Sequence, residues 1–148
     1  MERMFIRVRS GRDILIVASL IILGGVFIAL PTSSAVNVTG FLMICSGIIL
    51  LIFLKTGYKD LQTGKMYFKK ERYFQYSQSE EIATAIASKP ESVDLSTENM
   101  GNSARLDIYF NRTSNKAYIQ LYKYVPYAYE PYSDMYEYEL EKVNKLIS

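Results

Sequence analysis

The 148-residue sequence contains no histidine, no tryptophan and a single cysteine, Cys45. One cysteine cannot form an intrachain disulfide, and without histidine the usual zinc and iron ligand sets are missing. Ser-His-Asp and Cys-His enzymes need histidine as well, and the chain carries no glycine-rich phosphate-binding motif. Carboxylates alone would be the remaining route to catalysis, and no recognisable motif pairs them. The sequence therefore predicts a protein that is not an enzyme and binds no metal or cofactor.

Charge is also missing over a long interval, because no charged residue occurs between positions 14 and 54. Two apolar runs fill it, residues 14–30 and 36–54, each long enough at about 1.5 Å per residue to cross most of a bilayer core of roughly 30 Å. A signal peptide is the alternative for the first run, but its apolar part usually has about 7–15 residues. We predict two transmembrane helices, at about 13–30 and 36–54, within an N-terminal region of residues 1–56.

Basic residues flank both helices, and the connection between the helices carries none. By the positive-inside rule this places both termini, and the soluble residues 57–148, in the cytoplasm. The flanking residues are Arg3, Arg7, Arg9 and Arg12 before the first helix, and Lys55, Lys59, Lys65, Lys69, Lys70 and Arg72 after the second.

Small residues recur in both helices, notably Gly24, Gly25 and Ala29 in the first and Gly47 in the second. Such residues let helix backbones approach closely in a membrane. They predict packing either of one helix on the other or between subunits.

The soluble region has the pattern of a small α+β domain. Residues 65–76 have the character of a strand, and a short helix follows, with Ser77 and Glu80 spaced as a capping box and Pro90 as its stop. The next polar stretch predicts a loop, with a brief strand at 93–95. A domain this small has a thin core, so self-association is expected.

A hairpin and a helix complete the predicted domain. Residues 104–110 and 117–125 alternate between aliphatic and polar or tyrosine side chains, which predicts two strands joined by a turn. The last segment, from Asp134 as N-cap, predicts a helix with Leu140, Val143 and Ile147 on one face.

Tyrosine is concentrated near the end of the chain, with seven of the 13 tyrosines in residues 121–140. Such side chains either cover a half-exposed sheet or form an interface or ligand platform. Nearby cations could neutralise a few phosphates, whereas the near-neutral balance of residues 57–148 argues against duplex nucleic acid. The predicted ligand-binding residues are Lys69, Lys70, Arg72, Arg105, Tyr109, Tyr118, Tyr122, Lys123 and Tyr124.

The layout of "ILIVASLIILGGVFIAL" and "VNVTGFLMICSGIILLIFL" followed by a small domain resembles the small membrane effectors of bacterial antiphage defence, those accompanying type III CRISPR systems in particular. The resemblance covers the whole chain as architecture and involves no shared sequence motif. It implies a protein of the bacterial inner membrane whose cytosolic domain binds a cyclic oligonucleotide, such as cyclic tetra-adenylate, and drives homo-oligomerisation and perturbation of membrane lipids. Two alternatives stay open: an accessory or structural subunit of a membrane complex, and an immunity or exclusion protein that binds a protein partner.

Overall fold

The computed structural model describes residues 3–148, which divide into two units. The helical unit is Arg7–Gly57, and the sheet unit combines residues 3–6 with Tyr58–Ser148. Residues 3–6 therefore belong with the sheet unit, although they precede the helices in the chain.

The helical unit contains helices α1 (Gly11–Ala29) and α2 (Ser34–Phe53), close to the predicted bounds. Within residues 3–148 these two helices are long and apolar enough to be candidate membrane spans. Large apolar side chains project outward along both, with Leu15 68% and Phe53 75% exposed. A helix that is apolar all round and still exposed is typical of a bilayer environment rather than of a soluble core.

Glycine allows α1 and α2 to pack closely. A Cβ atom on Gly24 would lie 2.6 Å from the Gly40 carbonyl oxygen, and one on Gly47 would lie 2.8 Å from the Ile21 side chain. Gly24 and Gly47 thus lie in the contact between the two helices of the hairpin. Gly25 and Ala29 do not take part in it: both lie on the exposed side of α1, because a shift of one residue rotates a helical position by about 100°.

A group of polar contacts, which we call the basal clamp, joins the two ends of the hairpin. Ser10 and Asp13 form a capping box at the start of α1. The Asp13 carboxylate also accepts hydrogen bonds from the Thr56 backbone N–H (2.8 Å) and hydroxyl (2.6 Å). Arg7 and Arg9 donate to the carbonyls of Lys55 and Leu51. The start of α1 is therefore capped by its own residues, whereas carbonyls at the C-terminal end of α2 accept hydrogen bonds from arginines on the other side of the hairpin.

The described residues form seven strands in one sheet, with pairing order β1-β2-β3-β4-β5-β6 and β7 paired to β5. The β6 and β7 strands occupy different parts of the same edge of β5, opposite residues 122–125 and 116–119 respectively. The strands are β1 (Phe5–Val8), β2 (Gly57–Asp60), β3 (Met66–Phe74), β4 (Ala104–Asn111), β5 (Lys116–Val125), β6 (Ala128–Pro131) and β7 (Tyr136–Glu139).

Helices α3 (Ser79–Ser88) and α4 (Leu140–Ile147) cover one face of this sheet. The predicted alternation of the central hairpin is confirmed, because its aliphatic residues form the core with these helices. The core includes Phe74, Leu106, Ile108, Ile119 and Leu121 from the strands, Ile82 and Ile86 from α3, and Val143 and Leu146 from α4.

Three local predictions are wrong. The α3 helix begins at Ser79, with Gln78 at the N-cap position and Ser77 in a preceding 3-10 turn, so the Ser77–Glu80 capping box does not form. Residues 93–95 are not a strand; a 3-10 turn, Pro90–Ser92, precedes them. The final helix starts at Leu140 rather than after Asp134, because Tyr136–Glu139 pair with β5.

The glycine contact predicts an asymmetry between two adjacent residues. Gly24→Ala should weaken hairpin packing by about 1–3 kcal/mol, because its new methyl group meets backbone that cannot move aside. Gly25→Ala is the matched control: a Cβ there meets no described atom within 4 Å, and alanine favours the helix. Thermal unfolding of the full chain in micelles, followed by far-UV circular dichroism, measures both. Equal stability of the two variants would contradict the contact.

Candidate functional site

The face of the sheet opposite α3 and α4 carries most of the residues of interest, and we call it the tyrosine face. Cross-strand partners share a face, so the pairing register assigns its members. They are Tyr67, Lys69, Glu71 and Tyr73 from β3, Arg105, Asp107 and Tyr109 from β4, and Tyr118, Gln120 and Tyr122 from β5.

One half of the tyrosine face is buried by the chain itself. Phe5 stacks on Tyr109 with ring centroids 4.2 Å apart, and it meets Tyr67 edge-on at 5.3 Å. Tyr58 contacts Tyr109 in the same way, and Tyr118 is only 2% exposed. Tyr109 and Tyr118, both predicted to meet a ligand, are therefore core residues of a second, aromatic cluster.

Arg3 makes two ion pairs and a cation–π contact beside this aromatic cluster. Its guanidinium binds the buried Asp60 carboxylate at 3.0 Å and the Glu137 carboxylate at 3.5 Å. It also lies 4.3 Å from the centroid of the Tyr118 ring, within the range of a cation–π interaction. Arg3, one of the basic residues used above to predict the orientation of the helices, thus makes its contacts within the sheet unit.

A buried ionic cluster occupies the centre of the tyrosine face. The Asp107 carboxylate, in a residue 1% exposed, is 2.8 Å from both the Lys69 ammonium and the Arg105 Nε. Lys69 also binds Glu71 at 2.6 Å, and the Tyr73 hydroxyl donates to Glu71 at 2.6 Å. Two cations and two carboxylates make the cluster neutral, so it attracts phosphate weakly.

The pKa values follow from this arrangement. Burial raises the pKa of Asp107 more than its two cations lower it. Burial works against the charge of Lys69, but its bonds to Asp107 and Glu71 outweigh this and raise the Lys69 pKa. The hydrogen bond to Glu71, together with burial, raises the pKa of Tyr73 to about 12. The raised pKa values of Lys69 and Tyr73 keep the amine charged and the phenol protonated near neutral pH, which suits a structural cluster better than proton transfer.

The predicted ligand-binding residues lie on two faces of the sheet. The register pairs Lys70, Arg72 and Lys123 with core residues of the neighbouring strand, so these three residues lie on the helix-covered face. The other predicted residues lie on the tyrosine face, because side chains alternate along a strand. Arg72 donates to the Leu146 carbonyl at 2.7 Å and pairs with Glu98, while Lys70 donates to the Ser148 carbonyl at 3.2 Å. These two cations stabilise the C-terminal end of α4. A single site cannot contain all nine predicted residues.

The other half of the tyrosine face is accessible and contains Tyr122 and Arg105. The Arg105 guanidinium lies between two rings, 5.2 Å from the centroid of Tyr122 and 4.3 Å from that of Tyr129. Tyr129 meets Tyr124 edge-on at 5.3 Å, and Tyr124 is 54% exposed. The aromatic character of this end is therefore available to a partner, whereas its cation is already paired.

An open cleft of about 630 Å³ lies beside these rings. A loop bonded to β3 and β6 forms one wall: the Asn99 N–H donates to the Tyr73 carbonyl at 2.8 Å, and the Tyr129 hydroxyl donates to the Asn102 carbonyl at 2.7 Å. The lining residues are all uncharged: Tyr73, Asn99, Met100, Gly101, Asn102 and Tyr129.

The turn between β5 and β6 presents a tyrosine directly to solvent. Tyr127 follows Pro126 with a φ of 72° and is 99% exposed. Left-handed backbone is unusual for a bulky residue, so this position is strained. We call residues 124–129 the tyrosine hairpin; the sequence did not predict β6.

Comparison of the chain with family models, curated proteins and solved structures found no match. Within residues 3–148, no group of three histidine, cysteine, aspartate or glutamate side chains could hold a metal ion.

The accessible residues that sequence reasoning missed are Asn99, Met100 and Asn102, which lie in a polar loop. A Pro-Tyr pair between two short alternating runs was the available signal for the turn at Tyr127. The signal was weak, because glycine or asparagine, rather than tyrosine, is the usual second central residue of such a turn.

The ionic cluster predicts a large effect of removing its central charge. Asp107→Asn keeps the size of the side chain but leaves Arg105 and Lys69 without their shared carboxylate, which should cost about 3–5 kcal/mol of unfolding free energy. Urea unfolding of the full chain in micelles, followed by tyrosine near-UV circular dichroism, measures the loss. The exposed Asp134, changed to asparagine, is the control and should cost less than about 0.5 kcal/mol. Similar losses for both variants would contradict the central role of Asp107.

Proposed function

We propose that this chain is a membrane-anchored, non-enzymatic binding protein whose sheet unit engages a protein partner through the tyrosine hairpin. One observation carries the proposal: the cations on the tyrosine face are paired inside the sheet, whereas tyrosines at its accessible end are exposed. Exposed aromatic rings held on strands are typical of protein interfaces.

The apolar helices support the membrane anchor. Their outward side chains would be costly in water, and a bilayer removes that cost. Basic residues on both flanks favour a hairpin with both termini in the cytoplasm, in the bacterial inner membrane.

The composition of the tyrosine hairpin supports a protein partner. Residues 124–129, "YVPYAY", carry no charge, and Tyr132 follows with 38% of its surface exposed. Tyrosine combines a large apolar ring with a hydroxyl and loses little conformational entropy on binding. Such a surface can bury area against a protein without desolvating an ion.

A cyclic oligonucleotide is the second candidate ligand, as the resemblance to antiphage membrane effectors implies. The uncharged cleft favours it, because Tyr73, Tyr129 and two asparagine side chains could stack on and hydrogen-bond to a base. The phosphates would find less support, since Lys69 and Arg105 are neutralised. In this version, ligand binding would shift the sheet units towards an assembled state that perturbs the membrane.

Site-directed labelling tests the membrane anchor. With Cys45→Ser as background, Ser33→Cys between the helices should react with an impermeant maleimide in intact bacteria, because it faces the outside. Ser148→Cys should react only after the inner membrane is opened. Labelling of both positions, or of neither, in intact cells would contradict the predicted topology.

Photo-crosslinking tests the binding surface. A photoreactive residue at Tyr132 of the full chain in cells should give a protein adduct of defined mass, whereas one at the exposed Thr113, in the β4–β5 turn, should not. Calorimetry of the purified chain with cyclic and linear oligoadenylates is the parallel measurement. Sub-micromolar binding of one cyclic species without a protein adduct would overturn the protein-partner proposal in favour of the second candidate.

A further inference from the structure

We propose that the partner is a second copy of the chain, with Tyr127 of each copy inserted into the cleft between Tyr73 and Tyr129 of the other. The inference rests on the proposed function, because it names the protein that the tyrosine hairpin binds. In the single chain, Tyr127 has two unfavourable features, a strained backbone and an exposed ring.

The backbone at Tyr127 is one that tyrosine rarely adopts. Pro126 fixes the first central position of the turn, and the φ of 72° at Tyr127 is that of the second central residue in a type II turn. Glycine or asparagine would fit without strain, as Asn99 and Asn115 do at the other two described non-glycine positions with positive φ. The turn itself therefore does not explain a tyrosine here.

Packing within the chain does not explain the tyrosine either, because the residue is 99% exposed. Strained residues persist where surrounding structure or function selects them. The neighbouring rings of Tyr124 and Tyr129 hold the strands of the turn together and present Tyr127 at a fixed position.

The cleft has the chemistry that an inserted tyrosine requires. Its lining combines two aromatic rings with the exposed thioether of Met100, and sulfur–aromatic contacts are favourable. Hydrogen bonds at the Asn99, Met100 and Asn102 backbone hold its loop in place, so little ordering is needed on binding.

The positions of turn and cleft allow a closed pair. Tyr129 lines the cleft and is two residues from Tyr127, about 7 Å along an extended strand. A two-fold axis beside Tyr129 can therefore exchange both contacts at once, so that the assembly closes as a dimer. Both surfaces are uncharged, so identical copies meet without like-charge repulsion.

The first experiment compares self-association of the full chain and of Tyr127→Gly in micelles by sedimentation over a dilution series. The wild type should form dimers, and Tyr127→Gly should associate at least tenfold more weakly while keeping or slightly raising its unfolding temperature, because glycine relieves the backbone strain. Asn115→Gly, at another positive φ, is the matched control and should dimerise as the wild type does. A monomeric wild type, or unchanged dimerisation of Tyr127→Gly, would overturn the inference.

A complementation experiment tests where Tyr127 binds. Met100→Glu places a charge in the cleft and should also weaken self-association at least tenfold. Tyr127→Gly keeps an intact cleft and Met100→Glu keeps an intact turn, so differently tagged copies of the two should co-purify through one remaining contact. If Met100→Glu alone has no effect, or the mixed pair fails to form, Tyr127 does not occupy the cleft.

The two proposals can fail separately. A Tyr132 adduct at twice the chain mass of 17.0 kDa supports both. An adduct with a different protein overturns the second-copy inference and leaves the binding function standing.

Discussion

The buried carboxylate of Asp107 is the interaction on which the tyrosine face depends. It lies in the middle of a three-stranded surface, and it holds Lys69 and Arg105 at 2.8 Å. A buried ion is tolerated only where opposite charges and hydrogen bonds satisfy it, so both cations are committed to the sheet. Arg105 in turn fixes the rings of Tyr122 and Tyr129 by lying between them. The accessible end of the face is consequently aromatic and neutral.

Tyrosine serves two opposite purposes on either side of this cluster. Tyr67, Tyr109 and Tyr118 are buried beneath Phe5 and Tyr58 as a second core, which the thin aliphatic core of so small a domain needs. Tyr124 and Tyr127 are exposed, and Tyr127 carries backbone strain that the isolated chain does not offset. The contrast supports a binding role for the exposed end, where area and shape rather than charge would select the partner.

In the helical unit, too, the polar contacts are few and lie close together. Over most of its length the contact between the two helices is apolar and depends on glycine, and the Gly24–Gly40 approach excludes even one methyl group. Polar groups are concentrated in the basal clamp, where Asp13 and two arginines satisfy backbone groups of the two helix ends. In a bilayer this arrangement would leave the apolar surface of the hairpin free to meet lipid or a second hairpin.

The sequence by itself determined the features that depend on local composition and period. An interval without charge determined the helical hairpin, and strict alternation determined which residues of β4 and β5 face the helices. Contacts distant in sequence decided the rest. Phe5 is half-buried, and its packing depends on Tyr109 and Tyr118, about a hundred residues later in the chain. Tyr136–Glu139 became a strand because β5 offers an unpaired edge, which outweighs the helical tendency of the segment. The candidate site was divided for a related reason. Lys69 and Lys70 are adjacent in sequence, but a pleated strand places their side chains on opposite faces of the sheet. Only the tertiary structure shows which of these faces meets solvent.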